Sequence, residues 1–201
     1  RAVDFWIDIY SKYDVNQIVI HDTDTFVVYD VVDVSDLDLV KDLSSDIKDE
    51  IIDSRVSIIK NKYSSILKEL SLSNEDDHLS QESKEVFLKF KNIDDNNKFI
   101  EAARPGRIRA QKGQMSSFRE AIYYSQLYIE DIENVLNEQG LPLELARIPY
   151  VESYYNPMAV SPRNAAGIWQ FMKGTAKEYM KVSKHYDERK DPVASTYAAA
   201  K

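Results

Sequence analysis

The sequence predicts a mainly α protein with a helical N-terminal extension that contains one short β-hairpin. Three observations carry this reading. Apolar residues recur every three or four positions over long stretches, two β-branched runs flank a turn near the start, and glycine and proline punctuate the later helical stretches.

The elements follow in order. Val3, Phe5, Trp6, Ile9 and Tyr10 stand at helical spacing and predict a first helix. QIVIH and TFVVYDVVDV read as two strands around Asp22-Thr23-Asp24, a hairpin near residues 17–34. From Ser35 to Leu70 the apolar residues repeat at helical spacing, through Leu39, Leu43, Ile47, Ile51, Val56, Ile59, Tyr63 and Ile66. They predict one long amphipathic helix, with Ser35 and Asp38 in the relation of a capping box. The polar break SLSNEDDHLSQ leads to a shorter helix through Val86, Phe87 and Phe90, and IDDNN to another with Phe99 and Ile100. After Pro105-Gly106, the run from Gln114 to Gln139 places Phe118, Ile122, Ile129, Ile132 and Leu136 on one face of a helix. It stops at Gly140, a residue suited to the left-handed turn that ends helices, and Pro142 opens the next helix. The closing run DPVASTYAAAK is helix-like, with Asp191-Pro192 as an N-cap followed by proline at the first helical position.

Composition narrows the function classes. Charged residues at 30% and hydrophobic residues at 43% are ordinary for a globular protein, which excludes a disordered tail or a membrane-embedded chain. No apolar run approaches the roughly 18 residues of a membrane span, and the start RAVDFWIDIY lacks the form of a signal peptide. A start at Arg1 and a stop inside a helix-like run predict a piece of a longer protein, in which any export signal would lie outside these residues. The absence of cysteine removes disulfides and thiol chemistry. The three histidines, His21, His78 and His185, are scattered without ligand spacing, so neither a metal nor a cofactor is expected.

Charge divides the chain. Residues 1–103 carry 23 acidic against 12 basic side chains, and residues 104–201 carry 11 against 14. The acidic half would repel phosphates, so no nucleic-acid partner is expected; the cluster Arg104, Arg107, Arg109 and Lys112 reads as a solvated linker rather than an anion site. The division gives an acidic N-terminal accessory region over 1–103 and a second domain over 104–201.

The most informative stretch is Leu141–Lys173, where the acid Glu152 follows Ile148, Pro149, Tyr150 and Val151 and precedes Tyr154 and Tyr155. Pro149 is expected to kink or end its helix, and apolar neighbours are expected to desolvate the carboxyl partly. Desolvation disfavours the charged form, the condition a general acid needs to hold its proton. On composition alone a surface Glu at a helix end is the commoner case.

The run VESYYNPMAVSPRNAAGIWQFM resembles the signature of the lytic transglycosylases. That family shows a Glu-Ser pair, an Asn-Pro, a Ser nine residues beyond the Glu and a Gly-x-x-Gln segment; here these are Glu152-Ser153, Asn156-Pro157, Ser161 and Gly167 to Gln170. GLPLELARIPYVES, DERKDPVAST and the helical lead-in from RIRAQKG are similar to the membrane-bound branch of the family, so the resemblance covers roughly residues 104–201.

The resemblance implies a lysozyme-like helical catalytic domain, incomplete at the C-terminus because the family fold continues past Lys201. It implies Glu152 as the catalytic acid and base, Ser161 and Gln170 as sugar contacts, Met172 as part of the groove lining and Ser153 as support for the glutamate. On residue type alone Ser161 fits a turn and Gln170 a solvated helix position, while Trp169 and Phe171 read as core. The implied substrate is the peptidoglycan glycan strand, in a periplasmic envelope location with outer-membrane association through segments outside the chain. The implied reaction breaks the β-1,4 bond between N-acetylmuramic acid and N-acetylglucosamine and closes a 1,6-anhydro ring, with one carboxylate where glycosidases ordinarily use two. Two other readings are a glycan-binding module that does not cut, and a lysozyme-type hydrolase using Asp187, Glu188 or Asp191 as second carboxylate.

Overall fold

The computed structural model describes residues 1–72 and 79–201, so part of the polar break and His78 lie outside the described residues. The chain is mainly α with one small sheet, and it divides into two compact units, Arg1–Met115 and Ser116–Lys201.

In the first unit a sheet lies between helices. Strand β1 (Gln17–Asp22) is central, and β2 (Val28–Asp33) and β3 (Ile108–Lys112) both pair with it antiparallel, giving the order β2-β1-β3. Because successive strand residues point to opposite faces, β1 serves two cores. Val19 packs with Phe5 and Ile9 of α1 (Ala2–Ser11), whereas Ile18 and Ile20 join the larger cluster on the other face. That cluster is built by Tyr63, Ile66, Leu67 and Leu70 of α2 (Ser45–Leu72), by Val86 of α3 (Gln81–Lys89) and Phe90 just after it, and by Ala102 of α4 (Lys98–Ala102).

The expected hairpin is therefore two-thirds of a three-stranded sheet. Its third strand comes from the stretch read as a linker, and Arg107 at its start is no solvated side chain. Its guanidinium donates to Asp22 at 2.7 and 3.1 Å and pairs with Asp24 at 2.9 Å. Arg104 pairs with Glu101 at 2.7 Å. The unit boundary consequently falls after Met115, later than the change in charge near Arg104.

The long helix starts later than its apolar period suggests. Ser35–Leu39 is a short 3-10 turn, Asp42 adopts a left-handed φ of 61°, and α2 begins at Ser45, where the Ser44 hydroxyl accepts from the Ile47 N–H at 3.4 Å. No capping box forms at Ser35. Its hydroxyl donates to Asp33 at 2.6 Å, while Asp38 accepts from Asn16 at 2.6 Å and from Lys48.

The second unit is helical. The run expected as one helix is α5 (Met115–Ser125) and α6 (Ile129–Glu138), separated where the Leu127 and Tyr128 N–H groups reach back three residues, to Tyr124 and Ser125. Gly140 ends the run with φ 69°. A 3-10 turn over Leu143–Arg147 follows Pro142 and runs into α7 (Ile148–Glu152). Pro149 stands in the first turn of α7, where its missing N–H has no partner to lose, so it begins the helix instead of ending it. After a long loop come α8 (Lys173–Tyr179), a 3-10 turn over Glu188–Lys190 and α9 (Pro192–Ala199). Asp191 caps α9 through two 3.0 Å bonds from the Val193 and Ala194 N–H groups. Ile132, Leu136, Ala146, Tyr155 and Ile168 form the buried centre of this unit.

Candidate active site

Glu152 is the last residue of α7, and the chain turns sharply behind it. Tyr154 and Tyr155 take consecutive left-handed conformations, φ 53° and 57°, which bulky residues adopt only where the surroundings enforce them. The enforcement is visible at Tyr155. Its ring is fully buried, its hydroxyl donates to the Ala146 carbonyl at 2.5 Å and its N–H bonds Pro149 O at 3.1 Å. Burial, before any neighbouring charge, pushes its phenol pKa up. Asn156 continues the turn, its side chain accepting from the Met158 N–H at 2.9 Å.

This turn corrects the expected setting of the glutamate. Tyr155 and Ser153 are buried, whereas Glu152 is exposed, because the left-handed pair sends the aromatic residue into the core and leaves the carboxyl on the surface.

The second half of the motif is one closely bonded loop. Val160 and Ala166 form a bridge, as do Ala166 and Phe171. Ser161 lies at a turn, where its hydroxyl accepts from the Ala165 N–H at 3.0 Å and its carbonyl from the Asn164 N–H at 2.8 Å. Gln170 is half-buried and left-handed, φ 49°, and its side-chain amide donates to Gly167 O at 2.8 Å; it belongs to a turn and not to a solvated helix. Gly167 has φ 78°, and a Cβ there would lie 1.6 Å from the carbonyl oxygen of Arg189, so only glycine fits. Trp169 packs on the core and donates from its indole nitrogen to Thr196 at 2.8 Å; Met172, before α8, is 48% exposed.

The two halves meet at Ser153. Its hydroxyl lies 3.0 Å from the carbonyl of Ile168 and 3.3 Å from that of Pro149, joining the end of the glutamate helix to the Gly167–Gln170 turn. Ser161, Gln170 and Met172 thus share a loop, and Ser153 connects it to the helix of Glu152.

The three carboxylates that a hydrolase would draw on are engaged. Asp187 accepts from the Arg189 guanidinium at 2.8 and 2.9 Å, which holds its carboxyl below the usual aspartate range. Glu188 accepts from the Lys181 N–H at 2.5 Å, and Asp191 caps α9. Among the described residues no group of three or more His, Cys, Asp or Glu side chains is placed to hold a metal ion. His21 lies in the first unit, its ring tilted against that of Phe5 at 4.4 Å between centroids, and His185 is exposed.

A helical unit with this loop matches a described class: the family model for the transglycosylase SLT domain covers residues 132–201. Residues 132–201, all within the second unit, are thus similar to the SLT domain, and that unit is helical. Among particular proteins, the chain is similar to the membrane-bound lytic murein transglycosylase D of Escherichia coli K12, with 39% identity over 98 residues, 46% of this chain and 22% of that protein. The protein of that name from Escherichia coli O6:H1 matches to the same extent. A protein of an Alteromonas species, strain M-1, named for tributyltin chloride resistance, is 38% identical over 73 residues, 36% of this chain and 35% of that one. The chain spans about a fifth of the length of the two transglycosylases.

Sequence reasoning missed Arg189. DERKD reads as a surface run of mixed charge, and nothing local distinguishes the one member that is buried at 7% exposure.

Proposed function

We propose that this chain carries part of a peptidoglycan lytic transglycosylase that breaks the β-1,4 bond between N-acetylmuramic acid and N-acetylglucosamine. Glu152 protonates the leaving oxygen; as a carboxylate it then takes the proton of the muramic C6 hydroxyl, which closes on the anomeric carbon to leave a 1,6-anhydro end. Placing that hydroxyl beside its target supplies the advantage of an intramolecular reaction, and the bound glycan excludes the water that reaches an exposed carboxyl in the free site. Ser161, Gln170 and Met172 contact the sugars, and Ser153 fixes the end of the glutamate's helix. The reading assigns the reaction to residues from 104 onward and an accessory role to residues 1–103, in a protein of the bacterial envelope.

The observation that carries the proposal is the Ser153 to Ile168 bond, which couples the helix of Glu152 to the Ser161–Gln170 loop inside the region matched to the SLT domain. The engaged state of Asp187, Glu188 and Asp191 favours a one-carboxylate mechanism over a hydrolase. The test is digestion of purified sacculi by the full-length protein and its Glu152→Gln variant, with mass spectrometry of the released muropeptides. Anhydro products, lighter by one water and lost in the variant, are expected. Reducing-end products would instead mean a hydrolase, and wild-type binding without release a glycan-binding module.

A further inference from the structure

We infer that Arg189, oriented by Asp187, is the positioning residue of the loop that carries Ser161 and Gln170. The inference rests on the transglycosylase reading of that loop. Its basis is the way one guanidinium is shared. Nε and Nη2 donate to the two oxygens of Asp187 at 2.9 and 2.8 Å, a side-on fork that fixes the plane of the group. Nη1 then donates to two carbonyls, Asn164 O at 2.9 Å and Phe171 O at 3.0 Å.

Those two acceptors lie on different limbs of the loop. Asn164 belongs to the turn that begins at Ser161, and Phe171 directly follows Gln170. A single nitrogen therefore sets the separation of the limbs that carry the two sugar contacts. The main chain of Arg189 adds a second constraint, since its carbonyl fills the space beneath Gly167. Asn164 and Gln170 are both left-handed, at φ 63° and 49°, conformations that persist only where the surroundings over-determine them.

A buried ion pair is a poor source of stability compared with apolar packing, but a planar fork fixes geometry in a way that neither an apolar side chain nor a lysine can. The side chain donates to backbone and to Asp187, so it acts on substrate through the loop.

The test uses the full-length protein on sacculi, comparing wild type with Arg189→Lys, Arg189→Ala and Asp187→Asn, with circular dichroism to confirm folding. Loss of loop geometry is expected to lower kcat/KM by about tenfold to a hundredfold in each folded variant. Methylguanidinium should restore part of the activity of Arg189→Ala and none of that of Glu152→Gln, a rescue that a globally weakened protein would not show. Wild-type kcat and KM in folded Arg189→Lys, or no rescue of Arg189→Ala, overturns the inference. Should wild-type protein release no product, the transglycosylase reading fails by itself, and amide exchange then decides whether Arg189 fixes the loop. Faster exchange at Ala165, Ala166 and Phe171 in Arg189→Lys, with Ile132 and Leu136 unchanged, supports the positioning role; unchanged loop exchange removes it.

Discussion

The hydroxyl of Ser153 donates to the carbonyl of Ile168 across 3.0 Å, so the residue after the candidate catalytic acid holds the turn that ends in Gln170. The acceptor is on a fully buried residue, and removing its donor costs more than the net worth of one hydrogen bond. Ser153→Ala is expected to lower unfolding free energy by about 1 to 3 kcal/mol. Urea unfolding measures it, and an unchanged midpoint would show that the bond does not hold the loop.

Gly167→Ala should be far more damaging. Its new methyl would meet the Arg189 carbonyl at 1.6 Å in a backbone conformation already at φ 78°, and neither partner is a flexible side-chain tip. A loss on the order of 4 kcal/mol places it among the severest single substitutions. Thermal unfolding tests it; a wild-type melting temperature would refute the close approach.

Gln170→Gly separates turn from function. Glycine accepts the left-handed φ of 49° without strain but loses more chain entropy on folding, effects of about 1 kcal/mol each that oppose one another. Stability should fall by only about 1 kcal/mol, for the lost bond to Gly167 O, while muropeptide release falls about tenfold, the equivalent of one lost hydrogen bond to the sugar. Unchanged release would make Gln170 a turn residue only.

The first unit should weaken on acidification at two points. Burial holds the His21 pKa below its ordinary 6.5, against the opposing bond to Asp22 O, so the unfolded chain binds the proton first and stability falls as pH drops through 6.5. Burial alone would raise Asp22, but the bonds from Arg107 and Thr25 hold it below 3.8; its contribution is present above that value and is lost as pH falls below it. Melting temperature against pH should show both losses, and His21→Phe should remove the upper one. A flat profile between neutrality and about pH 5 would contradict the histidine assignment.

Arg107→Met tests the same cluster at neutral pH. Asp22 has no solvent exposure, and removal of its guanidinium partner leaves a buried carboxylate with neutral donors such as Thr25 and the Asp24 N–H. Loss of one partner of a buried pair costs about 3 to 5 kcal/mol. Urea unfolding of the variant measures it, and a loss under about 1 kcal/mol would class the pair with surface ion pairs.

What was legible in the sequence was local. The Asp191-Pro192 start of α9, the Gly140 stop and the turn between β1 and β2 each announce themselves within a few residues, because a cap, a left-handed φ or a tight turn selects its own residue types. Strand β3 does not, since IRAQK has one buried apolar residue and becomes a strand only by pairing with β1, far upstream. The break between α5 and α6 holds neither glycine nor proline, so the apolar period runs straight through it. At the candidate site the motif singled out Glu152, Ser153, Ser161 and Gln170 by their order and spacing. It could not show that two left-handed tyrosines leave Glu152 exposed, nor that a charged run of surface type conceals Arg189.

The placement of β3 governs how this protein can be dissected. A fragment begun at residue 104, where the charge changes, would carry off a strand whose five partners, Ile18 to Asp22, remain behind. The abandoned β1 would then present a bare row of amides and carbonyls flanked by apolar side chains, an invitation to self-association, and the excised strand would have the same appetite. Severing the polypeptide after Met115 leaves that ladder whole, so a domain swap or fusion made there bares no new edge.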